Sequence, residues 1–473
     1  MRVCVSIAPS STEDAIAKLK LASRQADLVE IRIDGSDEID LTKILRRSRP
    51  EVIVTNRRDS EGGKFDGSAK EQVGILSNAL HLGAEYVDIE ASWGKRVIRD
   101  FIRKEKSGRV ILSHHNFEKT PRNIHAIHAK LQDLDADIVK IATMATDITD
   151  NQIIFDTLKG SRSRVKKTSA FCMGECGQIS RILGGIFGCH ITFAALTPED
   201  STGPGQLAAS DLKKVFQVHT LDRRTRIFGL FGNPVSHSRG IYYHNAIFRR
   251  ASVNAVYVNF LVNDLPSFFS TFRPLLSGAS VTMPFKQNVL PLLDNIDDEA
   301  LRIASVNTVI MRRGSAIGYN TDLPAIVSIM KKRTTLQGKR VLVLGTGATA
   351  RTMVYAMAKH GARVTVAGRS SQKAKALSLE FGCEHAPFHK LSSLHMDIIM
   401  NGTPVGMTSS SHPELVPNNI LRKGMIVFDA VYAPPVTPLL RAAAQRGCTT
   451  ISGSELFEEQ AKLQSRLFLD SIR

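Results

Sequence analysis

Short apolar runs alternate with amphipathic stretches along the first half of the chain, from residue 1 to about 215. Eight β-branched apolar segments predict strands, and helical periodicity follows them, most clearly at 13–24, 69–82 and 205–218. The predicted strands span residues 2–7, 28–33, 52–55, 86–89, 109–113, 137–142, 165–170 and 190–195. This repetition predicts an α/β fold, a nearly complete parallel (β/α)₈ barrel of the TIM type.

A polar and charged junction at 220–225 precedes a new apolar strand at 227–231, which predicts a domain boundary there. Strand and helix signals then alternate until an apolar run at 339–344 leads into Gly345-Thr346-Gly347-Ala348-Thr349-Ala350. A buried strand, a glycine-rich turn and a helix start in that order predict a dinucleotide-binding βαβ unit of the Rossmann type.

Composition allows two broad classes of protein. The chain has 473 residues, of which 43% are hydrophobic and 23% charged, so a globular protein of two or three domains is expected. Lys and Arg outnumber Asp and Glu by 62 to 45, a net charge of +17. That excess fits a nucleic-acid binder or an enzyme that acts on small anions. The basic clusters are short, scattered and free of interleaved aromatic residues, which favours the enzyme.

Cysteine usage and the absence of targeting patterns predict a reduced, cytoplasmic protein. Six cysteines are too few and too irregular for a disulfide framework. Cys172, Cys176 and Cys189 lack the second close pair and the histidines of a zinc site, so no metal is expected. The sequence shows no signal core or transit segment, and no run approaches the roughly 20 apolar residues of a membrane span.

Polar residues stand where the predicted barrel strands end, the place where barrel enzymes carry their chemistry. The two-residue period puts Glu30 and Arg32 on one strand face. Lys140 lies in an apolar run whose neighbours would desolvate it, depress its pKa and make it an amine nucleophile, with a histidine nearby to move protons. Each residue also has a structural interpretation, such as a snorkelling lysine or an ion pair. Their convergence at one barrel mouth favours catalysis.

Six segments, in order along this half, resemble the type I 3-dehydroquinate dehydratases: 30–32, 57–63 (RRDSEGG), 113–121 (SHHNFEKTP), 136–142 (ADIVKIA), 177–184 (GQISRILG) and 203–206 (GPGQ). The resemblance implies dehydration of 3-dehydroquinate to 3-dehydroshikimate through a Schiff base on Lys140. It implies that His115 moves the protons and that Glu61 orients it. The implied substrate ligands are Arg181 for the carboxylate, Glu30, Arg32 and Arg57 for hydroxyls, and Thr202 and Gln206 in a closing loop. Thr202 stands where the family often has Ser.

The glycine-rich turn favours NADP over NAD. Gly345 and Gly347 fit a tight turn and a close backbone approach to a pyrophosphate at a helix N-terminus. The next predicted strand, 363–367, is followed by Gly368-Arg369-Ser370 and lacks the acidic residue that would bind a ribose 2′-hydroxyl. Arg369 and Ser370 supply a cation and a hydroxyl for a 2′-phosphate instead.

An ordered series of segments flanks this turn: 236–238 (SHS), 281–286 (VTMPFK), 305–308 (SVNT), 318–322 (GYNTD), 401–403 (NGT), 429–437 (DAVYAPPVT) and 453–460 (GSELFEEQ). Residues 226–473 closely resemble the shikimate dehydrogenases. The resemblance implies NADPH-dependent reduction of 3-dehydroshikimate to shikimate, with Lys286 and Asp322 as the acid/base pair. The implied substrate ligands are Ser236, Ser238, Thr282, Asn307, Tyr432 and Gln460, and the implied cofactor ligands are Gly345, Gly347, Ala348, Arg351, Arg369, Ser370 and Thr403.

Together the two resemblances imply a bifunctional enzyme, a lyase and an oxidoreductase, in the shikimate pathway that leads to chorismate and the aromatic amino acids. The predicted domains are the barrel at 1–220, a substrate lobe at 226–325 completed by a C-terminal helix at 453–473, and an NADP-binding lobe at 326–452. The expected partners are the small-molecule substrates, with no nucleic acid and no membrane, and the oligomeric state is open. Two alternatives remain: a quinate dehydrogenase in the second half, and a basic nucleic-acid-binding scaffold with vestigial sites.

Overall fold

Eight parallel strands build the first part of the chain in a computed structural model that describes residues 1–47, 49–161, 166–407 and 415–472. The strands are β1 (Arg2–Ile7), β2 (Leu28–Arg32), β3 (Glu51–Thr55), β4 (Tyr86–Glu90), β5 (Arg109–Asn116), β6 (Ile138–Met144), β7 (Lys167–Met173) and β8 (Ile191–Ala195). They lie in the order β7-β6-β5-β4-β3-β2-β1-β8. The N–H of His190 donates to the carbonyl of Thr168 at 2.8 Å and links the start of β8 to β7. The predicted barrel is confirmed.

Helices follow most of these strands: α1 (Thr12–Ala22), α2 (Leu41–Leu45), α3 (Ala69–His81), α4 (Lys95–Lys104), α5 (Ile124–Gln132), α6 (Asp150–Ser161) and α7 (Gln178–Phe187). Local sequence explains where they begin. Ser68 and Glu71 form a capping box at the start of α3, and the Ser11 side chain caps α1. Alternate strand residues such as Cys4, Ile53 and Ile111 fill the barrel interior.

Two predicted elements of the barrel differ from the structure. The strand predicted at 165–170 spans Lys167–Met173, and Val165 lies outside the described residues. The helix predicted at 205–218 begins only at Ala209 and contains a π-helical turn over Asp211–Val215. Gly205 has φ +72°, a left-handed conformation that cannot belong to a right-handed helix, and it packs directly on the backbone of Gly174.

The chain divides into two compact units, Met1–Leu276 and Ser277–Arg473. After the barrel, the first unit contains β9 (Arg226–Gly232), α8 (Gly240–Arg250), β10 (Ala255–Leu261) and α9 (Leu265–Phe272), and β9 and β10 pair in parallel. The unit boundary falls inside the predicted substrate lobe, so the limits of the predicted domains stay a prediction. The predicted helix 453–473 is observed as α16, with Arg473 outside the described residues.

The elements that follow α9 along the chain are β11 (Leu276–Val281), α10 (Phe285–Asn288), β12 (Asn295–Ile296), α11 (Asp298–Ile303), β13 (Thr308–Arg312), β14 (Ser315–Tyr319) and α12 (Asp322–Lys331). β13 pairs antiparallel with β11 and with β14, and β12 pairs in parallel with β14.

The last sheet along the chain is fully parallel, with its strands in the order β17-β16-β15-β18-β19-β20. Its strands and the helices that connect and follow them are β15 (Arg340–Leu344), α13 (Ala348–Lys359), β16 (Arg363–Ala367), α14 (Ser371–Glu380), β17 (Glu384–His385), β18 (Ile398–Asn401), β19 (Ile426–Asp429), α15 (Pro438–Gln445), β20 (Thr449–Ile451) and α16 (Gly453–Ile472). Along β15, Val341 and Val343 join one core and Leu342 and Leu344 another. Both faces of the sheet are therefore covered, as the Rossmann prediction requires.

In the described ranges no helix is long and apolar enough to cross a membrane. The same residues contain no group of three or more His, Cys, Asp or Glu side chains placed to hold a metal ion. All six cysteines are free thiols.

Candidate active sites

One pocket at the carboxyl end of the barrel brings together all nine residues predicted for the first reaction. The pocket and its mouth enclose ≈ 470 Å³ of open space. Its lining includes Glu30, Arg32, Arg57, Glu61, His115, Lys140, Arg181, Thr202 and Gln206. These residues come from strands β2, β5 and β6, from helix α7 and from the loops after β3 and β8, so only the folded barrel places them together.

Lys140, on β6, extends into the barrel and meets two carboxylates. Its Nζ lies 3.2 Å from Oε1 of Glu30 and 2.9 Å from Oδ2 of Asp88, and it also sits 3.9 Å from the centre of the Phe193 ring. The sequence predicted that the apolar neighbours of Lys140 along the chain, which are Val139 and Ile141, would desolvate it. That expectation was wrong, because both residues point to the opposite face of β6.

Arg57 completes a buried group of charges around the lysine. Its guanidinium contacts Asp88 at 2.9 Å, Glu90 at 3.0 Å and the Ser113 hydroxyl at 2.8 Å. Burial alone would raise the pKa of Asp88, but the charges of Arg57 and Lys140 hold it well below its usual range. Asp88 therefore carries a full negative charge between two cations. Arg57, predicted to bind substrate hydroxyls, also fixes this carboxylate.

His115 and Glu61 form the hydrogen-bonded pair that the resemblance implies. The His115 Nδ1 lies 2.9 Å from Oε2 of Glu61. Burial raises the pKa of Glu61, yet the hydrogen bond and charge of His115 bring it below its usual value. An ionised Glu61 accepts, so Nδ1 donates and the lone pair of Nε2 is left for chemistry. Desolvation, reinforced by the charge of Arg57, lowers the pKa of His115 to about 4, so its imidazole is neutral at pH 7.

Arg181 is a buried cation with no carboxylate partner in the described chain. Its guanidinium donates to the carbonyls of Phe193 at 3.1 Å and Pro204 at 3.2 Å, and it lies 4.4 Å from the centre of the Phe171 ring. Burial lowers the pKa of Arg181 to about 10. A buried guanidinium without a counter-charge is a strong attractor for a substrate carboxylate. Pro204 belongs to the loop of Thr202 and Gln206, where Gln206 Oε1 accepts from the Thr202 N–H at 2.9 Å.

Sequence reasoning missed three carboxylates of this site. Asp88 and Glu90 lie on β4, where they alternate with Val87 and Ile89 as Glu30 and Arg32 do with their neighbours on β2. That alternation was a usable signal. Asp34, just after β2, holds Arg32 through two contacts of 2.7 Å and accepts from the Arg57 N–H at 3.1 Å. It ties the β2 and β3 ends together.

In the second unit, Lys286 and Asp322, which are predicted to act as an acid/base pair, form an ion pair. The Lys286 Nζ lies 2.7 Å from Oδ2 of Asp322. Lys286 belongs to the short helix α10, which follows β11, and Asp322 is the first residue of α12. The lysine side chain is 16% exposed and the carboxylate 6%, so the pair is shielded but open to a ligand on the lysine side.

The other predicted substrate ligands of this unit lie on separate segments. Asn307, before β13, accepts through Oδ1 from the Thr321 N–H at 2.8 Å and from the Thr308 hydroxyl at 2.9 Å. Thr282 follows β11, and Gln460 lies on α16. Tyr432 follows β19, with its ring 5.9 Å from that of Phe457 on α16. The sequence missed Gln464 on α16, whose buried amide donates to the Asn307 carbonyl at 3.0 Å.

Ser236 and Ser238 lie in the first unit, in the loop between β9 and α8. Ser236 is exposed, and the Ser238 hydroxyl accepts from the N–H of Gly240 at 3.2 Å. Their proposed role in binding the substrate carboxylate stays a prediction.

The turn after β15 has the shape of a dinucleotide cradle. Gly345 has φ +109°, and a Cβ on Gly347 would meet nothing within 4 Å. Helix α13 begins at Ala348 with no side-chain cap, so its first N–H groups are available to a phosphate. Arg369 is exposed at the end of β16, with no ion pair in the part of the chain that the structure describes, next to Ser370. These features fit a dinucleotide with a 2′-phosphate.

Two predicted cofactor ligands already have partners. Arg351 pairs bidentately with Glu380 and donates through Nε to the Ile303 carbonyl at 2.9 Å. A role on the cofactor would require it to exchange these contacts. Thr403 follows β18, and its hydroxyl donates to Oδ1 of Asn401 at 2.7 Å.

Fold and sites define the class: one chain that joins a TIM-barrel enzyme to a Rossmann-type oxidoreductase. Family models match residues 3–223 as type I 3-dehydroquinase, 230–309 as the shikimate dehydrogenase substrate binding domain and 328–429 as shikimate / quinate 5-dehydrogenase. The chain is 33% identical, over 98% of its length and 81% of the relative's, to the chloroplastic bifunctional 3-dehydroquinate dehydratase/shikimate dehydrogenase of Arabidopsis thaliana. It belongs to this bifunctional family.

Of two further relatives, one matches almost the whole chain and the other matches about half of it. The shikimate biosynthesis protein AroDE of Chlamydia pneumoniae is 27% identical, over 98% of this chain and 95% of its own. A shikimate dehydrogenase (NADP(+)) of Pyrococcus abyssi is 39% identical, over 48% of this chain and 86% of its own.

Proposed function

We propose that the residues assembled at the two sites carry out two consecutive reactions: dehydration of 3-dehydroquinate in the barrel and reduction of 3-dehydroshikimate in the second half. The family membership gives the activities, and the proposal concerns which side chains perform them. One observation carries it: the barrel pocket collects a lysine, a neutral histidine and a buried arginine that has no carboxylate partner among the described residues, which together suit imine chemistry on an anionic ketone.

In the first reaction, the Lys140 ammonium passes a proton to the neighbouring Glu30 carboxylate, and the freed amine adds to the substrate ketone. Return of that proton to the carbinolamine hydroxyl, which leaves as water, gives an iminium. The iminium withdraws electrons and acidifies the adjacent C–H bond, so Nε2 of His115 can take that proton. His115 then returns the proton to the departing hydroxyl, which leaves as water, and hydrolysis of the imine frees Lys140. Arg181 pairs with the substrate carboxylate, while Glu30, Arg32 and Arg57 face its hydroxyls. Thr202 and Gln206 close the loop.

In the second reaction, the Lys286 ammonium donates a proton to the oxygen of the carbonyl group as that oxygen gains charge, and Asp322 orients the ammonium. Thr282, Asn307 and Gln460 bind the ring hydroxyls. Ser236, Ser238 and Tyr432 bind the carboxylate.

The cofactor is NADP. When bound, its nicotinamide supplies the reducing equivalents of the second reaction. Gly345, Gly347 and Ala348 would hold the pyrophosphate, Arg369 and Ser370 the 2′-phosphate, and Thr403 the nicotinamide side. Arg351 can bind the cofactor only if its ion pair with Glu380 breaks.

A coupled assay tests both halves at once. Purified protein is mixed with 3-dehydroquinate and NADPH, and loss of nicotinamide absorbance is followed. Oxidation is expected with 3-dehydroquinate as the only carbon substrate, because the barrel must first make 3-dehydroshikimate. Sodium borohydride added with 3-dehydroquinate should also trap a covalent adduct on Lys140. Dehydratase activity that persists without any trappable adduct would contradict the Schiff-base assignment.

Three narrower predictions accompany the proposal. We infer that shikimate, rather than quinate, is the preferred product of the second half, which a steady-state comparison of the two alcohols with each nicotinamide cofactor tests. The domain limits 1–220, 226–325 with 453–473, and 326–452 are testable by limited proteolysis. The cytoplasmic location is testable by cell fractionation.

A further inference from the structure

A buried carboxylate at the end of β19 takes no part in either reaction as proposed above. Asp429 has no exposed surface. Its Oδ1 accepts from Nδ2 of Asn401 at 2.8 Å and from the N–H of Val431 at 3.0 Å, and its Oδ2 accepts from the Thr437 hydroxyl at 2.6 Å. Three donors from the ends of two strands and from the cap of α15 therefore converge on one side chain.

The first donor leads to the cofactor cradle. Oδ1 of Asn401 accepts two hydrogen bonds from Thr403, one from the N–H at 2.9 Å and one from the side-chain hydroxyl at 2.7 Å. This loop presses on the glycine-rich turn: a Cβ on Gly345 would lie 2.9 Å from Cγ2 of Thr403, and a Cβ on Gly402 would lie 2.7 Å from Cα of Ala350. We call residues 401–405 the cofactor arm.

The second donor leads to the substrate ligands. The N–H of Val431 is fixed on Asp429, and the next residue is Tyr432, whose ring packs against Phe457 on α16. At the start of α16, a Cβ on Gly453 would lie 2.4 Å from the carbonyl oxygen of Ala430, so the helix and the loop touch backbone to backbone. We call residues 430–432 the substrate arm.

We propose that Asp429 is a positioning residue for the reduction, because it fixes the cofactor arm and the substrate arm relative to each other. The inference rests on the proposed roles of Thr403 and Tyr432. Without the carboxylate, the Asn401 amide and the Val431 N–H lose their common acceptor, and each arm can move independently. A misplacement of about 1 Å in such a site lowers catalytic efficiency by roughly 100-fold.

The test compares Asp429→Ala with Asp397→Ala in the full chain. Asp397 is a matched control: it precedes β18 at the opposite end of the same strands, and its carboxylate accepts from the Arg340 N–H at 2.9 Å. The measurements are the KM for NADPH, the KM for 3-dehydroshikimate, kcat, and NADPH binding followed by its fluorescence. Dehydratase activity in the same polypeptide reports the concentration of correctly folded barrel.

Asp429→Ala is expected to raise both KM values about tenfold or more and to lower kcat/KM by about 100-fold, whereas Asp397→Ala changes each less than about threefold. Asp429→Asn keeps one oxygen for Asn401 and Val431, and its amide can donate to the Thr437 hydroxyl. It is therefore expected to restore most of the efficiency.

Asn401→Ser covers the case in which Asp429→Ala does not fold. It detaches the cofactor arm and leaves the substrate arm on Asp429, so the KM for NADPH should rise more than the KM for 3-dehydroshikimate. Unchanged KM values in Asp429→Ala or Asn401→Ser, with wild-type reductase active, overturn the inference and leave the proposed function intact. An equal rise of both KM values in Asn401→Ser also overturns it. A wild-type protein that binds no NADPH refutes the proposed function itself.

Discussion

The two sites of this chain organise charge in opposite ways. In the barrel, Lys140, Arg57 and Asp88 are buried together and contact one another before any ligand arrives. In the second unit, the proposed acid/base groups are one ion pair, Lys286 with Asp322, and the other predicted ligands are mainly hydroxyls, amides and backbone N–H groups. The first site therefore perturbs the pKa of its own side chains, and the second mainly offers shape, N–H groups and hydroxyls.

The difference follows from the two chemistries. Imine formation and proton abstraction use protein groups as reactants, so the barrel must set their protonation states by burial and neighbouring charge. Reduction takes its reducing equivalents from a bound cofactor, so the protein supplies orientation and one proton. Substitutions should accordingly act through charge in the barrel and through geometry in the second unit.

The largest effect is expected from Lys140→Ala. Loss of the nucleophile should lower the dehydratase kcat by about 10⁴-fold or more and remove the borohydride-trapped adduct. Reduction of added 3-dehydroshikimate should stay at the wild-type rate. Separate assays of the two half-reactions measure this, and a parallel loss of both in a folded variant would mean that the sites are not independent.

The reciprocal change, Lys286→Ala, should lower the reductase kcat by about 10³-fold, because a general acid contributes that order of magnitude. Dehydration of 3-dehydroquinate should be unaffected. Absorbance of NADPH with added 3-dehydroshikimate is the readout. NADPH binding that is retained while turnover is lost would show that the lysine acts on the substrate rather than on the cofactor.

Asp88→Asn should act through charge, with a smaller kinetic effect. It removes the anion between Arg57 and Lys140 and is expected to lower dehydratase kcat by about 100-fold. It should also cost about 3 kcal/mol of unfolding free energy, because two buried cations lose a partner. Glu90→Gln is the control, since Glu90 contacts Arg57 but not Lys140. Equal kinetic losses in both variants would contradict the specific link from Asp88 to the lysine.

The smallest effect is a displacement of the pH profile. His115 must be neutral to accept a proton, and its pKa of about 4 means that kcat/KM for dehydration should hold as pH falls and decline only near pH 4. The hydrogen bond to Glu61 raises the pKa of His115, so Glu61→Gln should move this decline to still lower pH. His114→Gln, on the other face of β5, should leave it in place. A decline near pH 6.5 in wild type would show that burial does not control the histidine.

Much of the barrel site could be predicted because β-strand alternation is a local signal. The side chains of Glu30 and Arg32 follow from the two-residue period of β2, and the same reasoning applied to β4 would have found Asp88 and Glu90. The environment of Lys140 could not be read locally. Its partners come from strands 52 and 110 residues away, so only the closed barrel shows that the lysine faces carboxylates.

The second unit shows the same limit. The glycine-rich turn and its helix are visible in the sequence, since Gly345 and Ala348 carry out local tasks. Arg351 forms an ion pair with Glu380, which lies 29 residues further along the chain. A side chain predicted to bind the cofactor phosphates is therefore already held by a carboxylate. The helix predicted at 205–218 was too long for another reason, because apolar periodicity does not show that Gly205 adopts a left-handed conformation.

The junction at 220–225 is short, and Asp222 fixes it by accepting from the N–H of Arg224 at 2.8 Å and from Nδ2 of Asn254 at 3.0 Å. Because both sites lie on one polypeptide, each translation event delivers one dehydratase and one dehydrogenase together. A cell that makes this protein cannot adjust the two steps by changing the expression of one gene relative to another. The balance between the two steps is instead set by the kinetic properties of the two sites on the one polypeptide.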